Sequence, residues 1–379
     1  MKSEGGRPMK YKVLAVVLLL ICVGAVYGIM NRDNSKNQSE NQEEMPTEIT
    51  EEFIRRQLEN DNGTIATYIK SNGEVDEDLV QGREALAETL GLLMYYALDK
   101  NDHDLFDKVY KQLTDYFLED DGFVNWKLKE DGTSDVSANA LIDDIRILYA
   151  LAMADEKWHE DKYMSTAVSI SDYLNEKNVK NGIYTNFYDQ KFEYASSDIH
   201  LSYIDIQGMN DLVDRGLLDK EVVDKTAQVL EEAPLENGFY PVSYNIEEDE
   251  YTFSDDINLV DQAILAYHYA QVDNQSKELL EFLKNEMEDR GLIHGMYDQQ
   301  TKEPTVDYES PAIYGFLILY ALEAGENDLA QEIYYRLKEF QVVDKNSEYY
   351  GGYSITDGNT HIFDNLVPLL AEQELRNKE

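Results

Sequence analysis

The sequence predicts an all-α protein, an (α/α)6 barrel of six helical hairpins with short β-hairpin-like loops. The first observation is a glycine turn that recurs six times, at intervals of 59, 60, 56, 53 and 61 residues. Each interval is room for two helices and a loop, and six such units predict a closed ring rather than an open superhelix. Asn, Asp and Gly tolerate positive φ, so they can turn the chain after a helix. The turns are Asn62-Gly63, Asp121-Gly122, Asn181-Gly182, Asn237-Gly238, Arg290-Gly291 and Gly351-Gly352.

The second observation is that two kinds of helical segment alternate between the turns. One kind is apolar on nearly every face, as expected of an inner helix, and the other has an apolar stripe opposite a charged face. The predicted inner helices are 83–98, 140–154, 202–213, 257–270, 312–322 and 363–372. The predicted outer helices are 104–118, 161–176, 220–231, 275–289 and 328–340, and residues 51–59 are predicted to be a short amphipathic helix that leads to the first turn. Because the turns follow the outer helices, we expect the loops to gather where the inner helices begin.

The first fifty residues differ in composition from the rest. Val13 to Met30 is an uncharged stretch of eighteen residues that follows four basic ones. This pattern predicts that residues 1–30 form a signal-anchor or transmembrane segment with an exported C-terminal body, which would be secreted if the segment were cleaved. Ile21 precedes Cys22, the only cysteine, where a lipoprotein signal has a small residue. Residues 31–50 are predicted to be a disordered polar linker, and 51–379 a single domain.

Charge and spacing exclude several classes of function. The formal net charge of -43 is incompatible with the clustered basic residues that nucleic-acid binding requires. It suits a soluble surface protein, or affinity for a neutral or cationic polymer. His200, His268, His294 and His361 have no metal-ligand spacing with neighbouring acids, and the chain has no glycine-rich phosphate loop. The sequence therefore predicts neither a metal site nor a cofactor.

Carboxylates recur at the N-terminal ends of the predicted inner helices. Capping and the helix dipole explain any one of them, but in a ring they would converge on one cleft. They are Glu88, Asp144, Asp205, Asp255 or Asp256, Glu309 and Asp364. Paired carboxyl groups and aromatic rings are what glycoside hydrolysis uses, an acid for the leaving oxygen and a base for water. The predicted sugar-binding residues are Trp126, Tyr95, Tyr203, Asp205 and Tyr308.

Three segments resemble the family-8 glycoside hydrolases, which are (α/α)6-barrel enzymes. Residues 85–98 resemble the family's Ser-Glu-Gly-x-Gly-Tyr-Gly-Met segment, which implies that Glu88 is the general acid. Residues 137–158 are similar to its Asp-Ala-Asp segment, which implies that Asp144 binds and distorts the sugar. Residues 253–262 are similar to Tyr-Asp-Ala-x-Arg, which implies that Asp255 is the base. Asparagine replaces the arginine of that segment, so Asp256 and Asp261 stay open as alternative bases.

The resemblance implies an inverting, endo-acting hydrolase of an exopolysaccharide, held in the cell membrane by its N-terminal segment with an extracytoplasmic catalytic domain. A polysaccharide would be its substrate, and an exopolysaccharide synthase complex is a further expected partner. Two other functions stay open. The chain could be a non-catalytic protein that binds glycans or takes part in exopolysaccharide assembly and has lost the family's catalytic carboxyl groups. It could also be a polysaccharide lyase, although a lyase needs positive groups to neutralise a uronate, and this acidic chain has few.

Overall fold

The computed structural model describes residues 46–71, 80 and 82–378, so the predicted 1–30 segment and most of the 31–50 linker lie outside the described residues. Twelve α-helices form within them. They are α1 (Pro46–Gln57), α2 (Ala87–Asp99), α3 (His103–Gln112), α4 (Leu141–Trp158), α5 (Asp161–Lys177), α6 (Ile206–Asp214), α7 (Lys220–Glu231), α8 (Leu259–Ala270), α9 (Lys277–Arg290), α10 (Pro311–Glu323), α11 (Asn327–Lys338) and α12 (Phe363–Lys378). No helix of this part of the chain has the length and apolar character to cross a bilayer.

The helices alternate between an inner and an outer ring, which confirms the predicted fold class. The even-numbered helices are the inner ones; in α10 every residue from Pro311 to Leu322 is buried. The odd-numbered helices bury one stripe, as in α3, where only Phe106, Val109 and Gln112 are buried. Each inner helix contacts the next one, and α12 contacts α2. The six hairpins therefore form a closed ring.

Hydrogen bonds between the two ends of the described chain close this ring. The Ile362 amide donates to the carbonyl of Thr67 over 2.8 Å. The Thr50 hydroxyl donates to the carbonyl of Gly351 over 2.9 Å. The rings of Tyr68 and His361 meet edge to face, with their centroids 4.8 Å apart. An open solenoid would leave these groups at opposite ends.

The six glycine turns lie where they were predicted, each after an outer helix. The first glycine of the last turn and the glycine of every other turn have positive φ, between 70° and 96°. At Asn181-Gly182 both residues have positive φ, which makes a tight turn between the strands Val179–Lys180 and Ile183–Tyr184. At Gly122 a side chain is also excluded sterically, since a Cβ atom would lie 2.1 Å from the carbonyl oxygen of Ser169.

Short strands in the loops join neighbouring hairpins at the end of the barrel where the inner helices begin. The antiparallel sheets are β1–β2, β3–β4, β5–β6, β7–β8–β9 and β10–β11. The strands are β1 (Ala85–Leu86), β2 (Lys127–Leu128), β3 (Val179–Lys180), β4 (Ile183–Tyr184), β5 (Tyr188–Asp189), β6 (Tyr194–Ala195), β7 (Asp198–His200), β8 (Ser243–Asn245), β9 (Glu250–Thr252), β10 (Asp256–Asn258) and β11 (Met296–Asp298). They hold the loops around the mouth of the barrel.

The starts of two helices are among the boundaries that differ from the sequence prediction. Helix α1 begins at Pro46, inside the predicted 31–50 linker, because buried Thr47 and Thr50 pack this segment onto the barrel. Helix α2 begins at Ala87 rather than at Arg83, because Ala85 and Leu86 pair with β2. The Arg83 guanidinium instead donates hydrogen bonds to three backbone carbonyls and to one amide side chain.

Candidate active site

Glu88 lies in the first turn of α2, at the mouth of the barrel. The Ala87 amide donates to the carbonyl of Trp126 over 3.0 Å, and the β1–β2 pair fixes the residues before it. The register therefore places the half-buried Glu88 next to Trp126, whose ring is also half-buried. Burial is the largest cause that raises the pKa of Glu88, and the Asp143 carboxylate raises it further.

An ion pair on the next inner helix faces Glu88. Asp143 and Arg146 are both buried, and the guanidinium lies 3.2 Å from the Asp143 carboxylate. Burial raises the pKa of Asp143, and Arg146 opposes this. Arg146 also lowers the pKa of Glu88. One arginine therefore limits the mutual repulsion of two carboxyl groups that share a largely desolvated site.

Tyr203 and Asp261 extend this group toward α8. Burial is the main cause that raises the pKa of the Tyr203 hydroxyl, followed by the charges of Asp143 and Glu88; Asp261 contributes as well. Asp261 lies in the first turn of α8 and is partly buried, which raises its pKa. The cluster formed by Glu88, Asp143, Arg146, Tyr203 and Asp261 is hereafter the acidic cluster.

Asp144, which the resemblance implied as the sugar-binding aspartate, has other contacts than Asp143. Its side chain is 1% exposed and accepts a hydrogen bond from the Asn139 amide over 2.6 Å. Asn139 is bonded in turn to Asn178, at the end of outer helix α5. Consecutive helical residues are about 100° apart, so Asp143 points to Glu88 while Asp144 points toward the outer ring.

Sequence reasoning missed Asp143 and Arg146. The signal that could have found them is the spacing of three residues between an acid and the arginine within a helix that is otherwise largely apolar. A charge pair at i, i+3 lies on one helix face, and a buried charge requires a partner.

The three aspartates considered as the base occupy different surroundings. Asp255 and Asp256 are exposed on the loop and strand before α8. The Asp255 carbonyl accepts from the Gln299 amide, and Asp256 pairs with Asp298 in the β10–β11 sheet. Only Asp261 of the three contributes to the electrostatics of Tyr203.

The predicted sugar-binding residues divide into two groups. Trp126 adjoins Glu88, Tyr203 belongs to the acidic cluster, and Tyr308 is 54% exposed in the loop before α10. The Tyr308 ring covers Gly295 so closely that a Cβ atom there would lie 2.1 Å from it. Tyr95 and Asp205, by contrast, line a cavity deeper in the barrel.

Most of the other acids at the inner-helix ends make structural bonds. Asp205 accepts from the Gly208 amide and caps α6. Glu309 is paired with Arg336 and accepts from the Tyr314 hydroxyl. Asp364 accepts from the Ser310 hydroxyl and the Ala312 amide at the start of α10. Capping and pairing account for these three carboxylates.

One group of described residues has the side chains for a metal ion. The ligand atoms of His103 and Asp107, on α3, and of Glu160, just before α5, lie within 4.8 Å of one another. The Lys162 ammonium lies 2.7 Å from Asp107 and 2.6 Å from Glu160, so a cationic side chain already bridges the two carboxylates.

Comparison with known sequences gives a family match and a relative. Residues 65–252 match the family described as Glycosyl hydrolases family 8. The chain is 38% identical over 374 residues to "Putative lipoprotein YdaJ" of Bacillus subtilis (strain 168), an alignment that covers 98% of this chain and 99% of that protein.

Solved structures share the fold. A novel alpha-amylase from Clostridium perfringens superposes with a TM-score of 0.78 at 24% identity, over 87% of this chain and 98% of that one. PssZ from Listeria monocytogenes gives 0.70 at 23%, over 86% and 94%. Endoglucanase Cel10 from Klebsiella pneumoniae, a family 8 glycosyl hydrolase, gives 0.59 at 17%, over 86% and 99%. With the sequence match and the ring of six hairpins, these findings show that the chain belongs to glycoside hydrolase family 8.

Proposed function

We propose that this glycoside hydrolase is an extracytoplasmic, membrane-anchored enzyme that cuts within an exopolysaccharide chain and inverts the anomeric configuration. The observation that carries the proposal is Glu88, a half-buried carboxyl group with a raised pKa beside the Asp143–Arg146 pair. A carboxyl group that keeps its proton near neutral pH can act as a general acid.

In the proposed reaction, Glu88 protonates the glycosidic oxygen as the bond to the anomeric carbon breaks. The bonding electrons leave with that oxygen, and a water molecule attacks the anomeric carbon from the opposite face. Asp143, held by Arg146, takes the part that the resemblance gave to Asp144 and hydrogen-bonds the hydroxyls of the sugar at the cleavage point. A base accepts the proton that the attacking water loses.

We propose Asp261 as this base, with Asp255 and Asp256 as the alternatives. Asp261 has the support of its electrostatic contact with Tyr203, and His200 and the Asn258 side chain both favour its charged form. Asp255 has the support of the sequence resemblance. Replacing each aspartate by alanine and adding azide distinguishes them. Azide restores turnover, as a glycosyl azide, only where the missing side chain is the base.

The substrate class rests on charge and on the aromatic residues at the barrel mouth. A chain of net charge -43 repels polyanions, which favours a neutral or cationic glycan. Trp126 and exposed Tyr308 offer rings on which sugar faces can stack. Since the similar structures include proteins called an amylase, endoglucanases and a xylanase, the glycan panel should contain α-glucan, β-glucan and xylan besides bacterial exopolysaccharides.

The location rests on the apolar N-terminal stretch and on the Bacillus relative, whose name describes a lipoprotein. We propose that Val13 to Met30 stays uncleaved as the anchor and places the barrel beside an exopolysaccharide synthase. Intact-mass measurement of the membrane-extracted protein tests this proposal. A mature N-terminus at a lipid-modified Cys22 would replace the anchor by a lipid, and release into the medium would contradict both.

The direct test incubates the full-length protein with the glycan panel and follows new reducing ends, while NMR records the configuration of the first product. We expect chain shortening with inversion, abolished by Glu88→Gln. Retention of configuration would contradict the mechanism. Saturable binding without turnover on a responsive glycan would favour the non-catalytic function, and an ultraviolet-absorbing unsaturated product would identify a lyase.

A further inference from the structure

A cavity of about 660 Å³ lies between the inner helices; α6 contributes its first turn to it, and the other inner helices contribute mainly residues from their second halves. All six inner helices contribute to its wall. Arg146 is on the wall, but the other four members of the acidic cluster are not. The cavity and the acidic cluster therefore lie on the two sides of Arg146. A volume of this size accommodates a small organic molecule.

Aromatic rings form much of the wall. Tyr95 and Tyr149 meet edge to face with centroids 5.8 Å apart, and Tyr267 and Phe316 lie 6.4 Å apart. Burial is the main cause that raises the pKa of the three tyrosine hydroxyls, so they stay neutral. Neutral rings of this kind attract organic cations through their faces.

Carboxylates outnumber cations on the same wall. The basic residues there are Arg146, whose charge Asp143 already neutralises, and Lys157, which donates to the carbonyl of Leu98. Five carboxylates line the cavity. Those of Glu156, Glu323 and Glu374 are paired with Arg215 or Lys378 at the rim.

The other two carboxylates of the wall, Asp99 and Asp205, have no ion-pair partner within 4 Å among the described residues. Burial raises the pKa of Asp99, and the Lys157 charge opposes this. Asp205 accepts from the Gly208 amide, and a cation in the cavity would add an ion pair to that bond.

His268 adds an unused hydrogen-bond acceptor. Its side chain lines the cavity and is 5% exposed, and within the described part of the chain its Nδ1 atom has no hydrogen-bond partner. Burial lowers the pKa of His268, so the ring is neutral; the Ser202 backbone favours a proton on the nitrogen that faces it, which leaves Nδ1 as the acceptor. A buried acceptor without a donor is costly, and a ligand that donates an N–H would satisfy it.

We propose that this cavity is a second binding site, separate from the acidic cluster, which takes a small organic cation consisting of a protonated primary amine on an apolar body. The amine would lie between Asp205 and His268 Nδ1, and the apolar body against the tyrosine rings. The inference does not depend on the proposed hydrolase mechanism, because Glu88 takes no part in it.

Calorimetric titration of the full-length protein in phosphate buffer tests the proposal with cyclohexylammonium and with cyclohexanol, its uncharged counterpart. We expect saturable binding of one cyclohexylammonium per chain, and affinity at least about tenfold lower for cyclohexanol. Equal affinity of the two probes, or no binding of the amine at millimolar concentration, would overturn the proposal.

Asp205→Asn locates the site. Asparagine caps helices as well as aspartate does, so the bond to the Gly208 amide is kept while the charge is lost. We expect about tenfold weaker binding of the amine by this variant. Tyr308→Ala, at the other end of the barrel, is the matched control and should bind as the unaltered protein does. Unchanged affinity in Asp205→Asn, or a loss in Tyr308→Ala, would overturn the assignment.

Discussion

Two sets of carboxylates at the inner-helix ends differ in what holds them. Glu309 is fixed by a two-point ion pair with Arg336, with 2.8 Å from Nε to Oε2 and 2.6 Å from Nη2 to Oε1. Glu88 occupies a comparable place on another inner helix, and its charge meets another carboxylate, that of Asp143. A carboxyl group at the start of an inner helix can therefore be either structural or catalytic. The residues that it contacts distinguish the two cases.

The pKa values follow the same division. Burial raises the pKa of Glu309, but the hydrogen bonds from Arg336 and Tyr314 outweigh it and bring the pKa below its usual value. The pKa of Glu88 is raised. A carboxylate that the fold keeps ionised strengthens the barrel, whereas one that the fold keeps protonated has a proton to give.

Substitution of Glu88 is expected to have the largest effect on turnover. Glu88→Gln keeps the shape of the side chain and removes the transferable proton. We expect a loss of about 10²–10⁴-fold in kcat on a responsive glycan, with an unchanged unfolding midpoint. Steady-state kinetics and thermal unfolding check the two halves of this prediction.

The matched control for Glu88→Gln is Glu309→Gln. If both variants lost activity to the same extent, position alone would explain the acids, and the comparison would fail.

The next largest expected effect is the difference in kcat/KM between substitutions of the neighbours Asp143 and Asp144. We expect Asp143→Asn to lower kcat/KM by about 10²-fold, because the group that positions the sugar loses its charge and Arg146 loses its partner. Asp144→Asn should stay within about twofold, since the asparagine oxygen can accept from Asn139 as the carboxylate does. Kinetics of both variants on one glycan measure the difference. A larger loss in Asp144→Asn than in Asp143→Asn would support Asp144 as the sugar-binding residue, as the sequence resemblance implied.

Glu309→Gln sharpens the structural side of the comparison. The substitution removes the charge that faces Arg336, and hydrogen bonds to charged groups contribute about 1.5–3 kcal/mol each. We therefore expect the free energy of unfolding to fall by an amount in that range, measured by urea denaturation at neutral pH. Activity at a temperature well below the unfolding transition should be retained. A stability equal to that of the unaltered protein would mean that the pair is energetically neutral.

The sequence predicts the fold better than it predicts the site, for a physical reason. Turns such as Asn181-Gly182 and an apolar helix such as α10 are specified by local chemistry that recurs six times. The direction of a side chain around a helix depends instead on the register, and one residue of error turns it by about 100°. We therefore propose Asp143, the partner of Arg146, for the role that the resemblance gave to Asp144.

Contacts between distant segments were beyond local patterns as well. The residues around Glu309 do not indicate that it pairs with Arg336, 27 positions away. The residues around Tyr95 likewise do not indicate that its ring lines a cavity. The predicted metal-free character rested on spacing along the chain. His103 and Asp107 are four residues apart on α3, but Glu160 comes from the segment before α5, and the spacing along the chain does not show that it lies beside them.

The smallest expected effect is a displacement in pH. Burial and the Asp143 charge raise the pKa of Glu88 to about 7. The proposed acid is protonated below that pH, so kcat/KM should fall as the pH rises through it. Removing the Asp143 charge removes one cause of the rise and leaves Arg146, which lowers the pKa, without its partner. Asp143→Asn should therefore shift the alkaline limb of its remaining activity to lower pH, by up to about one pH unit.

The profile of Asp144→Asn serves as the control and should coincide with that of the unaltered protein. A limb that stays in place in Asp143→Asn would show that the two carboxyl groups do not interact, and the acidic cluster would lose its electrostatic basis.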